Sequence, residues 1–212
     1  MTASLRLPLL LAALALSGCG SVSGLTRESG AAPMRIADYA RVEVADFTSS
    51  EAPTFDDEKK RADYEESVAR AKVAFADKIA EEVRASGAFE SVSRTPGPRC
   101  PGTGECRERQ DAGSGRPALR VGGDIRRYDE GNVAARALTG FAGQAHFDAT
   151  VEVADAESGL VLATLTVDRN SWPLPIGAST NLVQNPNLFM NQAAKKMASE
   201  LAAKKGVAAA QR

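Results

Sequence analysis

Residues 144–155 constrain the fold more than any other stretch. Phe147, Ala149, Val151 and Val153 alternate with His146, Asp148, Thr150 and Glu152. Successive side chains of a strand point to opposite faces, so this period of two makes one face apolar and the other polar. Ala156-Glu157-Ser158-Gly159 supplies a turn, and residues 160–169 return as a second strand, which makes a hairpin. A hairpin is marginal on its own and needs a cover for its apolar face. Membrane strands alternate in the same way. Here the chain also offers two amphipathic helices as the cover, and packing under them is the favoured reading.

The first helix is expected over 56–86. Val68, Lys72, Phe75, Ile79 and Val83 recur at helical spacing, with Ala71 and Ala76 beside them. Lys72 is the odd member and must run its stem along the edge. Gly87 stops the helix. The run Asp57-Glu58-Lys59-Lys60-Arg61 is charged all round, and its acids suit the helix dipole. The second helix starts at Pro186 with Asn185 as its cap. Phe189, Ala193, Met197 and Leu201 form its apolar face, and Gly206 ends it.

Three further strands are expected over 40–47, 89–94 and 118–128, with Val42, Val44, Phe47, Leu119, Val121 and Ile125 as core candidates. Gly122-Gly123 interrupts the last of these, which signals a bulge or a close backbone contact. The expected fold is one α+β domain, a mainly antiparallel sheet of about five strands with both helices on one face. The order is strand-helix-strand-strand-strand-strand-helix.

The chain has 212 residues, a formal net charge of −1 and 43% hydrophobic residues. That balance gives no basic face for nucleic acid. Its single His, and the lack of a Gly-x-Ser-x-Gly elbow or a phosphate-cradling glycine loop, leave no obvious catalytic set, metal site or cofactor site.

At the N-terminus, Arg6 precedes an apolar run over 7–16, and the small residues Ser17 and Gly18 stand before Cys19. The run is about ten residues long, short of the roughly 20 that span a bilayer, and reads as a secretory signal core. Leu16-Ser17-Gly18-Cys19 resembles the lipobox of bacterial lipoproteins. The resemblance implies a diacylglyceryl group on the Cys19 thiol, cleavage before Cys19 and an acylated new N-terminus. Gly20, where inner-membrane lipoproteins usually carry Asp, implies the outer membrane, facing the periplasm. The expected organisation is a signal peptide over 1–18, a flexible tether over 19–35, the domain over 36–206 and a tail over 207–212.

With Cys19 acylated, Cys100 and Cys106 remain as a pair in the Pro/Gly-rich loop over 95–117. In an oxidising periplasm a disulfide is the expected state. Two free thiols remain open, as does half of a zinc site, although zinc needs about four ligands.

Gly123-Asp124-Ile125, Tyr128, Gly131-Asn132, Arg136, Gly140 and the strand into Asp155-Ala156-Glu157-Ser158-Gly159 form a recurring order. With the lipobox, they resemble bacterial lipoproteins of the domain of unknown function four-four-one-zero, over about residues 40–205. That resemblance implies location and fold and carries no activity. More loosely, the strand-helix-strand-hairpin order resembles the α/β domain of periplasmic lipoprotein activators of cell-wall synthases and of the curli secretion lipoprotein.

Arg126, Tyr128, Arg136 and His146 are the candidate partner-binding residues. Arg offers a planar fork for carboxylate or phosphate, and Tyr offers a stacking face for a glycan or side chain. The plainer reading of 128–143 is a Gly-rich crossover. Asp124, Asp129 and Glu130 could form a carboxylate pair, although charges near a turn are usually solvated. The expected function is a non-enzymatic, lipid-anchored binding or accessory module with an envelope protein or polymer as partner. The alternatives are a small periplasmic hydrolase, with a cleft where two carboxylates, or His146 and a carboxylate, converge, and a subunit of a secretion or pore assembly.

Overall fold

The computed structural model describes residues 19–28, 35–50, 55–95, 116–132, 143–171 and 184–206. Cys100, Cys106 and Arg136, the expected signal segment over 1–18 and the expected tail over 207–212 lie outside the described residues.

Strands β1 (Cys19–Val22), β2 (Thr26–Arg27) and β3 (Arg41–Ala45) precede helix α1 (Glu58–Ala85). Strands β4 (Ser91–Thr95), β5 (Ala118–Asp129), β6 (His146–Asp155) and β7 (Val161–Asn170) follow, and helix α2 (Pro186–Lys205) comes last. From β3 onward this is the expected order. The seven strands form one sheet in the order β1-β7-β6-β5-β3-β4, with β2 also on β7.

The expectation of a mainly antiparallel sheet of about five strands holds in part and needs two refinements. The sheet is mixed, because β3 pairs in parallel with both β4 and β5. For β4 the reason is α1: its 28 residues rise roughly 42 Å, which returns the chain to the end where β3 began. The second concerns the N-terminal segment. Residues 19–28, expected as tether, form the sheet's edge along β7, with Cys19 opposite Asn170 and Thr26 opposite Thr164. Ser23 N–H donates to Thr166 O (2.9 Å), Glu28 N–H donates to Leu162 O (3.1 Å), and Leu25 is buried in the core between the two strands. Small polar residues suit an edge strand as well as a linker, and composition alone does not separate the two.

Both helices cover one sheet face. Val68, Ala71, Phe75, Ile79 and Val83 of α1, and Phe189, Ala193, Met197 and Leu201 of α2, are all buried. Lys72 is half-buried, as an edge position allows. Phe75 sits at the centre, 4.7 Å from the Phe47 ring and 5.0 Å from the Phe147 ring, the latter edge-on. Such pairs contribute about 0.5–1.5 kcal/mol each beyond their area.

The helix ends follow the sequence signals. The Asp57 side chain accepts from Lys59 N–H (2.8 Å) and Lys60 N–H (3.1 Å). Asn185 accepts from Leu188 N–H (3.0 Å), and Gly206 closes α2 with φ +82°. Lys205 then donates to Ala37 O (2.7 Å) and Tyr39 O (2.5 Å), fixing the end of α2 to the entry of β3. Tyr39 OH donates to Asp155 Oδ2 (2.9 Å). Burial and that carboxylate push the Tyr39 pKa up to about 12.

Gly123 carries the close backbone contact expected of Gly122-Gly123. Its φ is +143°, and a Cβ there would stand 2.0 Å from Thr150 O. The β5–β6 register shifts just beyond it, between Ile125 and Arg127, which leaves Arg126 in a bulge. Gly159 has φ +72° with nothing near its missing Cβ. Gly123→Ala is therefore expected to destabilise by about 2–4 kcal/mol, since β5 and β6 must part. Gly159→Ala should cost only about 1 kcal/mol, the left-handed penalty alone. Urea unfolding of both variants checks this, and equal costs would contradict the β5–β6 contact.

Candidate functional site

Side chains on the sheet face turned away from the helices supply one part of the site. Register places Asp129, His146 and Asn170 in one row across β5, β6 and β7, and the Cys19 backbone in β1 pairs with Asn170. The next row along the same face holds Arg127, Asp148, Asp168 and Ser21. The pleat that sends Phe147 inward thus turns His146 and Asp148 outward.

Beside the first row lies an open groove of about 1010 Å³. Its sheet wall is Asp129, Gly131, Asn132, Gly143, Gln144 and His146, and its helix wall is Phe55, Lys60 and Asp63. Phe55 rests against Tyr64, with ring centroids 5.2 Å apart, which holds the helix wall. The sheet wall is fixed by a tight neck. Asn132 N–H donates to Gly143 O (2.9 Å). Gly143 has φ +71°, and a Cβ there would stand 2.6 Å from Asn132 O. Asp129 Oδ1 accepts from Gly131 N–H (2.7 Å), so that carboxylate is partly committed to its own turn. The lining combines one ammonium, two carboxylates, two amides and an imidazole, a set suited to a ligand with several polar groups of both signs.

Buried side-chain atoms without a hydrogen-bond partner gather at this end of the sheet. They are Arg126 Nε, His146 Nδ1, Asp148 Oδ1, Arg169 Nε and Asn170 Oδ1. Among the described residues, the others are on Arg41 and Gln192, in β3 and α2. Buried polar atoms are normally satisfied, so this cluster departs from the usual pattern.

The sequence candidates divide. His146 lines the groove, on the polar sheet face as expected. Arg126 sits in the bulge of β5. Tyr128 is a correction: it faces the helices, is 7% exposed and offers no stacking surface. Its hydroxyl donates to Glu130 Oε1 (3.2 Å), and burial, then the Glu130 charge, raises its pKa. The same pleat explains this, since Tyr128 is opposite Phe147. Asp124 lies away from the groove, accepting from Thr48 Oγ1 (2.8 Å) and Ser50 Oγ (2.6 Å). Sequence reasoning missed Lys60 and Asp63, whose charge run reads as a solvated helix start. It also missed Asp168, which the hairpin register alone brings opposite Asp148.

Asp148 and Asp168 are directly opposed like charges, a destabilising cross-strand pair. Burial, then the Asp168 charge, raises the Asp148 carboxyl above its ordinary range, against the pull of Arg127 and His146. A raised folded pKa means that ionisation costs the folded state. The cost is absent below the unfolded value, near pH 4, and fully present above the folded value. Asp148→Asn should therefore raise Tm at pH 7 by about 1–3 °C, with the gain shrinking as pH falls to about 4. Thermal melts across that range check it, and an undiminished gain at the acid end would contradict the assignment.

Among solved structures, the chain is similar to the PelC dodecamer from Paraburkholderia phytofirmans at 15% identity. The likeness covers 84% of this chain and 96% of that one, with a TM-score of 0.45. A protein of the DUF330 family from Xanthomonas campestris is similar at 15% identity over 82% of this chain and 90% of that one, with a TM-score of 0.34. No curated protein matches the chain. The family model described as Domain of unknown function (DUF4410) matches residues 104–174, a stretch that contains β5, β6 and β7. Over those residues the match supports the resemblance drawn from the glycine, aspartate and aromatic spacing.

Proposed function

We propose that this chain is a lipid-anchored protein of the bacterial outer membrane. It faces the periplasm and works without catalysis, as a binding or accessory module for an envelope protein or polymer. The observation that carries the reading is the segment Leu16-Ser17-Gly18-Cys19 after a short apolar run. Acyl chains contribute roughly 0.8 kcal/mol per buried methylene, and stable anchoring takes more than one chain.

One observation favours the hydrolase alternative: His146 and Asp129 are cross-strand neighbours and share the groove with Asp63. Against it, Asp129 is engaged by Gly131 N–H, and among the described residues the lining holds no Ser, Thr or Cys.

Cys19→Ala tests the anchor. The variant should leave the membrane fraction almost completely, while the parent stays in it through washing with high salt. Unchanged membrane retention of the variant would overturn the reading.

A further inference from the structure

The geometry points to a membrane-apposed end of the domain: the sheet end that carries the groove lies against the bilayer, with zwitterionic phospholipid headgroups as its occupant. This rests on the lipid-anchor reading, since it follows where the acylated residue sits. Cys19 is the first residue of β1 and pairs with Asn170, which pairs with His146, which pairs with Asp129. Strands lie about 4.8 Å apart, so the Cys19 backbone is about 10 Å from that of His146 and about 15 Å from that of Asp129. A flexible linker of some fifteen residues would let the domain wander by roughly 20 Å. Here β1 leaves no linker between the acylated cysteine and the sheet. The chain then runs away from the anchor, past Val22 opposite Val167 to Arg27 opposite Ala163.

The chemistry of that end suits headgroups. Lys60 offers a cation for phosphate, and Asp63 and Asp129 offer carboxylates for an ammonium. The opposite end, with the turn at Ala156-Glu157-Ser158-Gly159, faces the periplasm.

The test uses full-length lipidated protein, with p-benzoylphenylalanine placed at Asn132 or at Ser158. It is reconstituted in vesicles of phosphatidylethanolamine with phosphatidylglycerol, irradiated and digested, and phospholipid adducts are measured by mass spectrometry. The probe at 132 should give at least tenfold more adduct than the probe at 158. Its yield should fall severalfold in vesicles of phosphatidylglycerol alone, where the ammonium is missing. A Gly/Ser spacer inserted between Cys19 and Gly20 should lower the adduct at 132 severalfold without loss of the acyl mass. Equal yields from the two positions, in protein whose N-terminal peptide carries the acyl mass, overturn the orientation and leave the anchor standing. Equal yields in both lipid compositions overturn the zwitterionic headgroup. An N-terminal peptide without acyl mass removes the anchor itself, and the orientation with it.

Discussion

Phe75 of α1 stands against Phe47 on one side and Phe147 on the other, and this contact holds the longer helix to the middle of the sheet. Everything else at the site follows from which face it covers. Once Phe147, Ala149, Val151 and Val153 are committed to the helices, the pleat leaves no freedom for their neighbours. His146, Asp148, Thr150 and Glu152 must face the other way. One side of the sheet is therefore a packed core, and the other a polar surface whose charges meet in registers that the core dictates. The opposition of Asp148 and Asp168 is an instance: packing on one face imposes a like-charge pair on the other.

Several details place the groove at one end of this sheet. The α1 cap at Asp57 brings Lys60 and Asp63 over that end. The neck between Asn132 and Gly143 holds the opposite wall, and only glycine fits at 143. Arg94 ties the same helix to the sheet, reaching Asp77 of α1 (2.7 Å), Val44 O of β3 (2.5 Å) and Asp46. The helix wall of the groove is thus braced through β3 and β4, and the sheet wall through β5 and β6.

The elements most legible in the sequence were those with strong local signals. The hairpin followed from strict alternation, α1 from its Val68 to Val83 stripe, and α2 from Asn185-Pro186 and Gly206. Gly122-Gly123 announced a close contact, and the structure puts it at Gly123. Three features were not legible, each for a physical reason. The parallel pairing of β3 with β4 depends on where a long helix delivers the chain, which no local pattern records. The β1 and β2 edge reads as a linker because an edge strand made of small polar residues has no apolar stripe. Tyr128 looked like a surface aromatic because the bulge at Arg126 shifts the alternation by one residue, turning it inward. The groove's helix wall was hidden for a related reason: Lys60 and Asp63 belong to a charged helix start, and only the fold brings them to β5 and β6.

Pairing of β1 along β7 is what would join the proposed site of acylation, Cys19, directly to the sheet. Hydrogen–deuterium exchange of the membrane-bound protein, resolved over residues 20–23, measures this most directly. The account predicts slowed exchange there, including the Ser23 N–H that donates to Thr166 O, at a level approaching that of β7. Exchange over those residues as fast as in an unstructured peptide would contradict it, and would return the segment to the role of a free tether.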